Sequence, residues 1–416
     1  MTLIRSVLAV SVVLVSGCDE VALRADAGAD AMPSSDTSVT ADARVPSDAS
    51  ADAPRSALIN PRLADLRDGE ARDLGAFICT DPPGTYRSCV TVTDYSGFAY
   101  DSTHHQMLMY GGGHAATSST AMWSLDLSGD LVWHEAVPST SIAEMTLSNL
   151  DARRGRWIST GHPLQVHTYD YLTYVPARDE LVLMQGNEVA LFTMGYPSDF
   201  PSMCGAEDVH HYAPSTRTWT GHPVGPRWAV YGASSLDPSG LILYMSRYGL
   251  WTYDPETSAV EHPLDAVDGS LGIAQILVYA ENAGAHFHLR SDGVVHRLNY
   301  VSAAPSTSTV TRLATSGPTP PIAIDVLVNP DASETGWAYD SRRGRICGGL
   351  HLGFMYCLNT MTNLWTSYRI ESGPEVNLER IAFHALQYDP INDAFIFLTA
   401  RTLSLPMHTV AWRPPS

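Results

Sequence analysis

The 416-residue chain contains no lysine; its 25 Lys-or-Arg positions are all arginine. That absence excludes a Schiff-base lysine, a lysine general base and a Walker-type phosphate loop. Every strong cationic contact must come from a guanidinium, whose planar fork suits carboxylate, sulfate or phosphate. Positive charge is also scarce: 44 acidic residues leave a net charge of −19, which argues against binding nucleic acid through the whole surface. No HExxH motif, Cys-x-x-Cys pair or nucleophile elbow is present. No cofactor and no metal site is expected. Long apolar runs are missing too. Val7 to Val15, behind the basic Arg5, is too short to span a bilayer.

That stretch ends in Val15-Ser16-Gly17-Cys18, which resembles the lipobox of bacterial lipoproteins. The resemblance implies that residues 1–18 are a signal peptide and that Cys18 is lipidated. An ordinary secretory signal is the alternative. Either reading makes the mature protein extracytoplasmic, held to the membrane by a lipid anchor alone in the first case. Residues 19–56 are almost wholly Ala, Asp, Ser and Pro. Such a segment cannot bury enough apolar surface to offset its chain entropy, so it reads as a disordered tether. The folded domain is expected over residues 57–416.

Only six cysteines occur. Cys79 and Cys89 flank the turn Asp81-Pro82-Pro83-Gly84, and Cys347 and Cys357 flank a tip at Leu350 to Gly353. Outside the cytoplasm both pairs are expected to form disulfides. Cys204 is left over.

What the chain has in place of catalytic motifs is a repeat. Six copies of a strand–turn–strand phrase begin near Gly97, Leu172, Ser234, Leu277, Gly336 and Leu386. The clearest runs from Gly97 to Val137. It predicts strands at Gly97 to Asp101, Met107 to Gly111, Met122 to Leu127 and Leu131 to Glu135. Four-stranded units at periods of roughly 40–50 residues are the mark of propeller blades, which bury their apolar faces only by stacking. The expected fold is therefore all-β, a β-propeller. The count is six blades, with a seventh allowed by the wide gap between Tyr100 and Tyr174. The last copy has three strands, so an N-terminal strand near Leu74 to Cys79 is expected to complete it. The spaced Trp123, Trp251 and Trp365 read as packing between blades.

Gly111-Gly112 after an apolar strand, the turns Tyr100-Asp101, Tyr339-Asp340 and Tyr388-Asp389, and those tryptophans resemble the kelch family of propellers. The resemblance covers Gly97 to Trp412. Only the first copy has the glycine doublet in good form. Some kelch propellers are copper radical oxidases, but no local motif carries their ligands over.

In a propeller, the loops after second strands and those entering each blade emerge on one face, around the channel mouth. The residues just past the second strands are His114, Asn187, Arg247, Arg290, His351 and Arg401. Five of those six are Arg or His, in an acidic chain. Such a ring would focus an anionic ligand. The entry loops add His167, Tyr169 and Arg227, and Gly111 to Gly113 would let backbone approach a ligand. The expected partner is an anionic carbohydrate or other polyanion, bound by a monomer.

Two other classes stay open. One is an enzyme of the polysaccharide-lyase type, with His114, Tyr169 and Arg247 as base, acid and uronate-neutralising cation. The other is a protein-interaction scaffold. His286 and His288, two apart on a strand, read as packing at a blade interface rather than a metal pair. His104-His105 and His210-His211 read as solvated turn residues.

Overall fold

The computed structural model describes residues 58–79, 96–111, 119–184, 187–188, 207–224, 232–246, 249–265, 275–290, 293–320, 336–373, 378, 381–399 and 407–416. Strands dominate them, and they sort into antiparallel quartets. The first quartet comprises Gly97–Asp101, Gln106–Tyr110, Met122–Asp126 and Trp133–Val137. The second comprises Leu172–Val175, Glu180–Leu183, Asp208–Ala213 and Thr218–Pro223. The third runs Gly232–Leu236, Ile242–Ser246, Gly249–Tyr253 and Val260–Asp265. The fourth runs Gln275–Ala280, Ala285–Arg290, Val295–Asn299 and Thr309–Arg312. The fifth runs Trp337–Asp340, Arg345–His351, Phe354–Asn359 and Trp365–Arg369.

The sixth quartet has three C-terminal strands, Ile381–Asp389, Ala394–Thr399 and His408–Trp412. Its fourth strand is the N-terminal Ala71–Ala76, antiparallel to His408–Trp412 with Ala71 opposite Trp412 and Ala76 opposite His408. The strand expected to complete the last copy is thus present, beginning three residues earlier than Leu74. The segment ahead of it is fastened as well. Arg413 donates to the carbonyls of Leu63, Leu66 and Asn392. Leu63, Leu66, Leu74 and Phe77 bury against Trp123 and Trp133 of the first quartet.

Second strands read as unbroken apolar runs because both faces are covered. Ile242–Ser246 and Ala394–Thr399 are buried at every position. Fourth strands are far more exposed, as in Val260–Asp265. The apolar clusters lie between successive quartets rather than within them: Phe287 with Ile346 and Trp365, Leu243 with Leu277 and Leu298, Tyr110 with Tyr171 and Tyr244. First strands of successive quartets lie against one another, and the first strand of the sixth lies against that of the first through the parallel pair Gly97–His384.

The first turn of each quartet has one shared device. A residue with positive φ precedes the second strand: His105, Asp179, Gly240, Gly284, Gly344 and Asp393. Where the preceding strand ends in Asp, the carboxylate caps the turn. Asp101 accepts from the N–H groups of Thr103 and His104, Asp340 from Arg342 and Arg343, and Asp389 from Ile391 and Asn392. That is why the Tyr-Asp pairs recur in the sequence.

The wide gap after the first copy holds small elements instead of a further quartet. Leu150–Asp151 pairs with Arg156–Trp157, and Val166–His167 pairs with Asn187–Glu188.

The Cys347–Cys357 disulfide forms as expected, across the hairpin of Arg345–His351 and Phe354–Asn359, with Cα atoms 4.1 Å apart. Cys79 is also disulfide-bonded. Cys18, Cys89, Cys204 and the tether lie outside the described residues.

Candidate functional site

Antiparallel geometry puts the start of each first strand and the end of each second strand at one end of the molecule. Arg290 is the last residue of its second strand, opposite Gln275 at the start of the first. His351 is likewise the last residue of Arg345–His351 and pairs with Phe354 across the tip. Both are partly exposed. His167 and Asn187 face one another in register in a two-stranded ladder. Arg290 and His351 thus end their second strands rather than follow them, and His167 and Asn187, expected in loops, are partners in a short ladder. His114, Arg227, Arg247 and Arg401 lie outside the described residues.

Tyr169 sits deeper than a rim residue. It is 2% exposed and adopts φ 38°, a left-handed conformation costly for a bulky side chain. Its ring meets His384 edge-on at 5.6 Å and Tyr171 at 6.0 Å. His384 belongs to the first strand of the sixth quartet, and Tyr169 enters the second. Their contact passes over Gly97 of the first quartet, so it lies where the innermost strands converge. Gly97 permits this: a Cβ there would stand 1.9 Å from the Tyr169 carbonyl oxygen.

Asp170 follows Tyr169 and ties the same region together. Its carbonyl accepts from the N–H of Ser234, and its carboxylate accepts from the N–H of Leu277. One residue thus reaches the first strands of both the third and the fourth quartets. Burial pushes the Asp170 carboxyl well above the usual carboxylate range. Burial pushes His384 down to about 3. At neutral pH the His384 ring is therefore uncharged, and burial favours the neutral form of Asp170.

Neither ring nitrogen of His384 has a hydrogen-bond partner among the described residues, although the residue is 4% exposed. The sequence reading did not single it out. Its only signal is its place in the first strand of the last copy, five residues before Asp389.

Two expectations about glycine and histidine need correction. Gly111 does make room for close backbone approach, but a Cβ there would stand 2.6 Å from the Thr168 side chain. The space is used by the chain's own entry segment. Thr168 accepts from the N–H of Gly97 and donates to the Tyr110 carbonyl, locking the segment in place. Of the paired histidines, only His104 is at all exposed. His105 is buried in a turn, and His210 and His211 are buried in the strand Asp208–Ala213. Dipeptide composition does not distinguish a solvated turn from one held by a neighbouring blade.

His286 and His288 are buried, as read. His286 bonds to Asp237 at 3.0 Å, and His288 stacks on His296 at 5.8 Å. Trp123 packs on Phe77 at 4.9 Å, and Trp365 shares an apolar cluster with Phe287 of the fourth quartet. Trp251 instead stacks on His262 of its own quartet, at 4.0 Å.

No family model matches the chain, and no curated protein matches it. Among solved structures it is similar to a structural-genomics protein of unknown function from Bacteroides thetaiotaomicron. The identity is 11% and the TM-score 0.48, over 82% of this chain and 75% of that one. It is also similar to an auxiliary nutrient binding protein from Bacteroides ovatus, at 10% identity and TM-score 0.47, over 85% of this chain and 74% of that one.

Proposed function

We propose that this is an extracytoplasmic, kelch-like β-propeller of six blades, tethered through a lipidated Cys18, that binds an anionic carbohydrate at one mouth of its channel. The succession of first-strand contacts and the N-terminal strand in the sixth quartet support the ring. The Cys347–Cys357 disulfide supports an oxidising compartment.

One observation carries the binding reading. Arg290 and His351 end their second strands at the end where Tyr169, Asp170 and His384 converge, and burial disfavours charge on both Asp170 and His384. In a chain of net charge −19, an ionised carboxylate at the centre would repel an anion. Burial weakens that repulsion while the rim supplies guanidinium. Asn187, His167 and Arg227, with Arg247, Arg401 and His114, complete the proposed rim.

The test is a panel of uronate polymers titrated into soluble protein lacking residues 1–18. Affinity is expected to fall as salt rises, because the rim contacts are charge-assisted and partly solvated. A panel with no binder at low salt would end the reading. Ultraviolet absorbance during the titration separates a binder from a lyase, since elimination leaves an unsaturated product.

A further inference from the structure

We infer that the proposed site takes a hydroxylated acid, a uronate sugar, and that His384 is the group that reads its hydroxyl. The inference rests on the binding reading above and names its substrate class.

The argument begins from the imidazole. A neutral imidazole has one N–H donor and one acceptor nitrogen. In His384 both are without partners among the described residues, in a residue 4% exposed. Buried polar groups are otherwise paired, so an orphaned one marks a place where a partner arrives from outside. The ring lies against Tyr169 at the convergence of the first strands, beside the backbone of Gly97 and Gly336. A Cβ on Gly336 would stand 3.1 Å from the His384 carbonyl oxygen, so the chain passes close to the backbone of this histidine.

The occupant must both donate and accept at short range and need not be charged where it meets His384. A sugar hydroxyl does both. A carboxylate alone only accepts and would leave the acceptor nitrogen unpaired. Burial also disfavours a charge on the neighbouring Asp170, which weakens repulsion of an acidic ligand. The division of labour follows: arginine on the rim takes the carboxylate, and the buried floor takes the hydroxyls. That pairing matches a uronate and discriminates against polyanions without hydroxyls.

The experiment compares oligogalacturonate with polyacrylate, a polycarboxylate that has no hydroxyl, on wild-type protein and on His384→Leu. Wild type is expected to prefer oligogalacturonate by about tenfold or more, the range of one well-placed hydrogen bond in a buried site. His384→Leu should lose that preference through a loss of oligogalacturonate affinity, with its fold retained as read from its melting temperature. His384→Asn, which keeps a donor and an acceptor, should recover part of it. Wild type and His384→Leu binding oligogalacturonate equally would overturn the hydroxyl-reading role and leave the binding reading standing. Neither polymer binding wild type would overturn both.

Discussion

The two ends of the quartets differ in how their polar groups are treated. At the first-turn end, polar side-chain contacts cross each junction between successive quartets. His104 lies 3.4 Å from Asp179, and His211 2.8 Å from the Tyr253 hydroxyl. His286 bonds to Asp237 at 3.0 Å, and the Tyr339 hydroxyl donates to Asn282 at 2.8 Å. Arg343 bonds to Asp393 at 2.7 and 2.9 Å, and His105 to Asp389 at 3.0 Å. At the other end, His384 is buried with no hydrogen-bond partner among the described residues, burial disfavours a charge on Asp170, and Tyr169 is strained. One end links neighbouring quartets through these side-chain contacts and so holds them in register. The other leaves polar capacity unspent, as binding sites do.

The largest effect should come from breaking the linked end. Arg343 is a two-pronged partner of Asp393 and also meets Asp340, which is wholly buried. Arg343→Met removes the two-pronged partner of Asp393 and one of the two arginines on Asp340, leaving Arg342 at 3.4 Å from Asp393 and Arg345 at 3.2 Å from Asp340. The expected loss is about 3–5 kcal/mol, read as a fall in the urea midpoint. The contrast at the other end is His384→Leu, which removes an unpartnered polar group and should change stability by less than about 1 kcal/mol. Equal losses in the two variants would erase the distinction drawn between the ends.

Acid should come next. Burial holds His210, His288 and His384 near about 3, and His211 at about 4. The unfolded chain takes up protons at these positions below about 6.5, while the folded chain resists doing so. The stabilisation is therefore complete above pH 6.5 and is lost as pH falls toward about 4 and then 3. Each group contributes up to about 1.4 kcal/mol per pH unit in that window. Denaturant midpoints measured from pH 7 to 4.5 should fall steadily, and His384→Leu should reduce the slope. Asp170 has the opposite sign: its raised value favours the folded state at low pH and costs stability as pH rises through it. Asp170→Asn should thus stabilise at pH 7 and have no such effect near pH 3.

Much of this was readable in the chain. The apolar runs revealed the second strands because both their faces are buried. The Tyr-Asp pairs revealed first turns because a carboxylate there caps backbone N–H groups. The missing fourth strand of the last copy pointed to the N-terminus. What was not readable is which polar residues find partners. His105 and His104 are adjacent in sequence, yet one is buried against Asp389, from a segment 284 residues away, and the other is partly exposed. His384 carries no motif, and its significance comes from what it fails to touch. Gly111 was legible as a close-approach site, but only the coordinates reveal that the chain's own Thr168 fills it.

A further stability loss concerns the covalent tie. Cys347 and Cys357 are 10 residues apart, so their bond constrains a short loop of the unfolded chain. Replacing both with Ser should cost about 2–3 kcal/mol. Because the bridge lies on the hairpin that ends in His351, polyanion binding by this variant reports whether that tip needs the tie. Retained affinity is expected below its melting temperature.

The central claim is that the unsatisfied end is an anion site with a guanidinium rim. Its most direct test is a uronate-polymer titration at low and physiological salt, comparing wild type with the combined Arg247→Gln, Arg290→Gln and Arg401→Gln variant. The account predicts salt-sensitive binding by wild type, and loss of that binding in the variant with its melting temperature unchanged. Equal binding by the two proteins would contradict it.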